Sequence, residues 1–272
     1  MSTSYKITLI GCGRMGGAML KGWLASDIDA TYNIVEPYGQ PDFTKGDNRI
    51  TFGETVKSIS DDVAKSDICI LAVKPQMMME VCEALKHIIS DDCLILSVAA
   101  GQTIGNFENY FGANQPIVRV MPNTPASIGE GMSVAVANAH PTDSQKEIVK
   151  RMLDCSGKSA WVDDENLMNA VTAVSGSGPA YIFHLIEALA KAGENVGLDA
   201  DKAMILARQT VVGSAALAAS EADTPASTLR ENVTSPGGTT AAALNVLMDG
   251  RFQDILNEAL QAAKKRGEEL GG

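Results

Sequence analysis

Over the first 162 residues, short apolar runs alternate with stretches in which apolar and polar positions mix at helical spacing. The runs are Ile7-Thr8-Leu9-Ile10, Asn33-Ile34-Val35, Ile68-Cys69-Ile70-Leu71-Ala72-Val73, Leu94-Ile95-Leu96-Ser97-Val98 and Ile117-Val118-Arg119-Val120. Such unbroken hydrophobicity suits strands whose sheet is covered by helices on both faces, because neither face then meets water. Intervening segments such as 15–25 and 77–89 are long enough to close the crossovers as helices. The pattern predicts an α/β domain with a doubly wound parallel sheet.

After Asp163 the strand signal stops, and Ala-rich stretches take over at 165–174, 179–192, 199–220 and 252–269. Ala costs least in a helix, and the stretches are broken by Gly and Pro, which end or begin helices. An all-α domain over 164–272 is therefore expected to follow an α/β domain over 1–163. Small residues on the long helix, Gly213, Ala215, Ala216, Ala218 and Ala219, allow close helix packing within one chain or between two.

Composition narrows the partners. With 45% apolar and 20% charged residues in 272, the chain has enough material for two ordinary cores. A net charge of -11 disfavours nucleic acid, whose binding needs clustered Lys and Arg. The five cysteines (Cys12, Cys69, Cys82, Cys93, Cys155) form neither a C-x-x-C pair nor a metal-ligand spacing with His, so they read as reduced thiols without a metal. The first residues lack the pattern of a signal peptide, and no apolar run approaches the roughly 20 residues of a membrane helix, so a cytoplasmic protein is expected.

Gly11-Cys12-Gly13-Arg14-Met15-Gly16 follows the first apolar run and opens the first helical stretch. By itself a glycine triplet marks a tight turn. After a strand and before a helix it is the Rossmann dinucleotide fingerprint. Gly11 makes the turn, Gly13 lets a pyrophosphate approach the backbone, and Gly16 lets helix pack on strand. The phosphates would lie on the N–H groups at the helix start, beside Arg14 and Met15. Glu36 closes the second run, about 20 residues further on, where a carboxylate binds ribose hydroxyls and repels a 2′-phosphate. With no Arg directly after it, the choice between NADH and NADPH leans to NADH, although Lys45 or Arg49 would suit a 2′-phosphate.

Two further strand ends, Ala72-Val73-Lys74-Pro75 and Ser97-Val98-Ala99-Ala100-Gly101, fall where ligands of doubly wound sheets bind. Gly11-x-Gly13-x-Met15-Gly16, Ala72-Val73-Lys74-Pro75, Met121-Pro122-Asn123-Thr124-Pro125, Ser175-Gly176-Ser177-Gly178-Pro179-Ala180-Tyr181 and Val233-Thr234-Ser235-Pro236-Gly237-Gly238-Thr239-Thr240, in that order, resemble the signature set of the Δ1-pyrroline-5-carboxylate reductase family. The resemblance implies hydride transfer from NADH or NADPH to the C=N carbon of pyrroline-5-carboxylate, giving L-proline. It also implies a homodimer at least, with interlocked helical domains. Residue by residue it implies dinucleotide contacts at Ala72, Val73, Lys74, Pro75, Ala100 and Asn232. Substrate contacts are implied at Glu165, Ser177, Gly237, Gly238, Thr239 and Thr240, with Thr240 facing the ring nitrogen as the catalytic position.

The turn 236–240 precedes an apolar helix candidate at 241–248, so its N–H groups can cradle a carboxylate without a Cβ in the way. A protonated iminium is already electrophilic, so little acid-base machinery is required. His87, His140 and His184 lie in no motif, and His184 reads as core or interface. Met77-Met78-Met79 reads as packing, and Lys264-Lys265-Arg266 as charge suited to a helix end. Two rivals remain. A β-hydroxyacid dehydrogenase would need a catalytic lysine, for which Lys191 is nearest but lacks the surrounding pattern. A non-catalytic nicotinamide sensor has no use for a carboxylate cradle.

Overall fold

The computed structural model describes residues 4–271. They divide into two compact units: the chain up to Ser177 together with the segment from Ala263 onward, and Gly178–Ala262.

The first unit holds β1 (Tyr5–Ile10), α1 (Arg14–Ala25), β2 (Ala30–Val35), β3 (Ile50–Gly53), α2 (Ser60–Val63), β4 (Ile68–Leu71), α3 (Met78–Leu85) and β5 (Leu94–Ser97). It continues with α4 (Ile104–Phe111), β6 (Ile117–Met121), β7 (Gly131–Ala137), α5 (Asp143–Asp154), β8 (Gly157–Trp161) and α6 (Met168–Val171). The strands form one eight-stranded sheet in the order β3-β2-β1-β4-β5-β6-β7-β8. The expected doubly wound parallel sheet runs from β3 to β6, and it is extended by β7, antiparallel to β6, and by β8, parallel to β7.

Each central strand feeds two cores at a period of two. Ile7 and Leu9, Ile68 and Ile70, and Leu94 and Leu96 face α1 and α5, where Trp23 stacks on Tyr32 and donates its indole N–H to the Met152 carbonyl at 2.9 Å. Ile10, Cys69, Leu71 and Ile95 face the opposite core with Met78, Cys82, Leu85 and Phe107. This two-sided burial is why the strands read as continuous apolar runs.

The expected boundary at 163/164 falls before the observed division, and the reason is packing. Met168 and Ala173 are fully buried, Met168 within the sheet's second core, so the stretch after β8 belongs to the sheet unit.

The second unit is helical: α7 (Gly178–Asn195), α8 (Ala200–Ser220), α9 (Ala226–Asn232), α10 (Thr239–Leu247) and the greater part of α11 (Arg251–Gly271), whose last turns belong to the sheet unit. Asp199 caps α8 by accepting the Lys202 N–H at 3.0 Å. Contrary to the expectation that no run would suit a membrane, α8 reaches the length and the mean hydropathy, 1.2, of a spanning helix because Ala, Val and Leu dominate it; 11% of its most apolar stretch is buried.

Candidate active site

In this strand order β1 lies between β2 and β4, so the connections leaving β1 and β4 part in opposite directions and open a crevice at the carboxyl edge of the sheet. Gly11 leaves β1 with φ +92°, a left-handed conformation, and a Cβ there would lie 2.8 Å from the Ala72 carbonyl oxygen and 3.0 Å from Val73 Cγ1. Only glycine lets the fingerprint turn come this close to the loop after β4. A Cβ on Gly16 would overlap the Gly11 carbonyl and stand 3.2 Å from Ala72 Cβ, so the third glycine seats α1 on that turn. Gly13 differs: nothing lies within 4 Å of its absent Cβ, and as N-cap of α1 it offers no side-chain partner to the helix's first N–H groups. Open space over uncapped donors fits a pyrophosphate.

Glu36 is half-buried beyond β2. Its Oε2 accepts the Cys12 N–H at 2.8 Å and its Oε1 accepts the Tyr38 N–H at 3.2 Å, which fixes the carboxylate against the fingerprint. Burial, reinforced by this carboxylate, pushes the Cys12 thiol up to about 11. Arg49, considered for a 2′-phosphate, is forked onto Asp47 at 2.7 and 3.1 Å and donates to the Leu24 carbonyl at 3.0 Å. Lys45 pairs with Asp42 at 2.7 Å. Both cations therefore already hold carboxylates.

Further along the edge, the Val98 N–H donates to the Leu71 carbonyl at 3.1 Å, which aligns the loops after β4 and β5. Lys74 and Ala100 are exposed on these loops, and Pro75 starts a short 3-10 turn. Behind the second loop, Glu165 Oε1 accepts both the Ile104 N–H at the start of α4 and the Arg119 Nη1 donor, each at 2.9 Å. Glu165, expected to touch substrate, is thus committed within the sheet unit to a guanidinium whose side chain is 7% exposed. Arg119 had a visible signal that the sequence reading passed over: a charge inside the run Ile117-Val118-Arg119-Val120 must find a partner when that strand is buried.

Two of the signature motifs meet in this unit. Asn123 donates from Nδ2 to the Ser175 carbonyl at 3.2 Å, and its Oδ1 accepts the Met132 N–H at 2.8 Å. A Cβ on Gly176 would overlap the Met121 methyl. Ser175 and Gly176 lie in a π-helical turn, Thr172–Gly176, closed by the Ser177 N–H to the Thr172 carbonyl at 2.8 Å. Such turns are rare and concentrate at functional sites. Ser177 itself is half-buried.

In the helical unit, Gly237 takes φ +70° and the Gly238 N–H donates to the Ser235 carbonyl at 3.0 Å, closing the turn before α10. Gly238 caps α10 with no side-chain bond, Thr239 is exposed and Thr240 is half-buried in the first turn. Asn232 is exposed at the end of α9. His184, expected in the core or at an interface, is exposed in the single chain with Nδ1 3.3 Å from Glu187, so it is not a core residue. Lys191 pairs with Glu194 at 2.7 Å, as an ordinary solvated lysine does. A cavity of about 430 Å³ lined by Asp67, Asp91, Asp92 and His140 sits at the amino edge of the sheet, opposite the crevice, and contains none of the expected site residues.

Comparison with known proteins agrees with both units. Residues 165–270 match the model described as pyrroline-5-carboxylate reductase dimerisation, and residues 6–101 match that described as NADP oxidoreductase, coenzyme F420-dependent. The chain is 40% identical to pyrroline-5-carboxylate reductase of Pseudomonas aeruginosa, with 99% of this chain and 98% of that protein covered. Among solved structures, the pyrroline-5-carboxylate reductase of Coxiella burnetii matches with a TM-score of 0.91 at 35% identity, covering 99% of this chain and 100% of that one. The NADP-bound Plasmodium falciparum pyrroline carboxylate reductase matches with a TM-score of 0.78 at 30% identity over 98% of each chain.

Proposed function

The chain belongs to the pyrroline-5-carboxylate reductase family and reduces 1-pyrroline-5-carboxylate to L-proline with NAD(P)H; we propose that the crevice beside β1 takes the dinucleotide and that the turn 236–240 takes the substrate carboxylate. The observation that carries the first half is the seating of Gly11 on Ala72 beneath the open space at Gly13. The bound dinucleotide supplies the hydride.

The protein's own work is orientation. Uncapped N–H groups of α1 hold the pyrophosphate beside Arg14 and Met15, Glu36 receives the adenosine ribose, and Ala72, Val73, Lys74, Pro75 and Ala100 line the remainder; Asn232 is assigned a dinucleotide contact on the family resemblance alone. Gly237 and Thr239 present N–H donors to the carboxylate, Gly238 closes the turn that carries them by donating to the Ser235 carbonyl, and Ser177 borders the substrate. The Thr240 hydroxyl accepts from the N–H of the iminium ring. When hydride adds to the imine carbon, the C=N π pair becomes the amine lone pair and the ring proton stays on nitrogen, so no general acid is consumed. Proximity can lower such a barrier by roughly 7–11 kcal/mol in favourable cases.

Glu36, with Arg49 and Lys45 already paired, favours NADH. The apolar surface of α7 and α8, with Ile182, Phe183, Ile205, Leu206 and Val212 exposed in one chain, supports reading these helices as the dimer face, and α8 as part of it instead of a membrane span. Free thiols suit a reducing cytoplasm. The test is dihydronicotinamide absorbance with purified protein, pyrroline-5-carboxylate and each dinucleotide in turn. Oxidation of neither cofactor would overturn the assignment, and turnover of a 3-hydroxy acid but not the imine would replace it.

A further inference from the structure

The end of the chain returns to the sheet unit, and it does so through glycines. A Cβ on Gly267 would lie 2.9 Å from Asn169 Oδ1, one on Gly101 (φ +74°) would lie 3.1 Å from the Leu270 carbonyl oxygen, and one on Gly271 would lie 3.8 Å from the Gly101 carbonyl oxygen. Gly267 and Gly271 are one helical turn apart, so they share a face of α11, and the partners on that face are backbone or short side chains. Helix and loop therefore touch almost backbone to backbone. A side chain at Gly267 would displace Asn169, and one at Gly101 would press on the Leu270 carbonyl.

What this helix end touches is specific. Gly101 follows Ala100 in the loop after β5, at the carboxyl edge where the dinucleotide is expected. Asn169 lies in α6, just beyond Glu165, whose carboxylate holds the Ile104 N–H at the far end of the same loop. The loop is thus anchored at its end by Glu165 and contacted at Gly101 by the last turns of α11. Between those anchors, Val98 to Thr103 forms no helix or strand of its own.

We propose that the last turns of α11, from Ala263, are a positioning element that presses the loop 98–103 into the conformation that receives the dinucleotide, so the carboxyl end of the chain tunes cofactor affinity without touching the reacting atoms. This rests on the reading that Ala100 borders the dinucleotide. An untethered loop must be ordered at the moment of binding, and that ordering weakens the complex.

The experiment uses the full-length protein, a variant ending at Ala262, Gly267→Leu and the pair Gly267→Leu/Asn169→Ala. NADH and NADPH dissociation constants are read directly from dihydronicotinamide fluorescence, and the imine KM is read at saturating cofactor. The expected result is about tenfold weaker dinucleotide binding in the first two variants, with the imine KM changed less than about twofold. Removing the Asn169 side chain should restore much of the affinity lost in Gly267→Leu. If the shortened chain does not fold, as judged by circular dichroism, the point variant and its rescue carry the test. A folded variant that binds dinucleotide as tightly as the full chain would overturn the proposal. Failure of the full-length protein to reduce the imine would instead strike the functional assignment, because direct binding is measured independently of turnover.

Discussion

Replacing Glu165 by alanine separates two accounts of this residue. Its Oε1 is the carboxylate partner of Arg119, whose side chain is 7% exposed, and it also receives the Ile104 N–H. Breaking a buried ion pair by removing one member costs about 3–5 kcal/mol, chiefly because the surviving charge is stranded. Glu165 is itself 29% exposed, so water can reach part of the vacated space; a loss of about 2–3 kcal/mol is the working figure. At about 2–4 °C per kcal/mol for a chain of this size, the melting temperature should fall by about 4–12 °C. The assay is thermal denaturation by circular dichroism at fixed protein concentration, for Glu165→Ala, Arg119→Met and the double variant. Because the double variant strands no charge, it should recover most of the loss, to within about 1 kcal/mol of the native protein. If Glu165 served mainly to hold substrate, Glu165→Ala would melt with the native protein and show only a raised imine KM. That outcome would refute the structural reading of the pair.

Four other outcomes follow. Glu36→Gln keeps an acceptor for the Cys12 N–H and removes the charge, so the NADPH-to-NADH ratio of kcat/KM should rise about tenfold; an unchanged ratio would remove Glu36 from cofactor selection. Thr240→Ala should lower kcat/KM about tenfold to a hundredfold while leaving measurable turnover, as loss of one positioning hydrogen bond does; a folded variant with no activity would contradict this role. Burial pushes the Cys12 thiol to about 11 and those of Cys82 and Cys93 to about 12, so Cys155 should react first with a thiol reagent at pH 8, and the native fold should lose stability above about pH 9, where unfolded thiols ionise and buried ones do not. Fast modification of Cys12 in the native protein would count against that burial. Finally, the denaturation midpoint should rise with protein concentration if association completes the helical unit; a midpoint independent of concentration would mean that one chain is stable alone.

The parts legible in the sequence were those where one local rule dominates. Strands β1, β4, β5 and β6 announced themselves because both faces are apolar, and the fingerprint because only glycine tolerates the φ of Gly11 and the approach of Ala72. Strands β3, β7 and β8 were missed: Ile-Thr-Phe-Gly, Gly-Met-Ser-Val-Ala-Val-Ala and Gly-Lys-Ser-Ala-Trp contain small and polar residues that suit a sheet's margins and break the apolar run. Likeness alone singles out Glu165, and its ion-pair partner Arg119 lies 46 positions away, a separation at which no periodicity operates. Arg119 was readable as a buried charge but not as the owner of Glu165. The return of α11 to the sheet unit was invisible for the same reason, since a glycine four residues from another on a helix signals nothing until the facing backbone is known.

The two units differ in how far one chain completes them. The sheet unit carries both apolar cores and buries Trp23, Tyr32 and Phe107 outright. In the helical unit, the buried apolar side chains are the alanines Ala190, Ala203 and Ala207, while Phe183, Ile205, Leu206, Val246, Leu247, Phe252 and Ile255 stand exposed in the single chain. Three fully buried alanines and a few half-buried side chains such as Tyr181, Ile186, Met204 and Leu244 do little to offset the conformational entropy of ordering five helices. The remaining apolar surface must therefore be covered by something of matching shape. A second copy supplies it with no further component, in line with the dimerisation family matched over 165–270. The consequence reaches the chemistry, because the turn that presents Gly237, Gly238 and Thr240 stands at the head of α10 in this same unit. On the proposed role of the turn 236–240 as carboxylate cradle, substrate binding depends on association even where no partner residue touches the substrate, since the cradle is only as rigid as the helices that carry it.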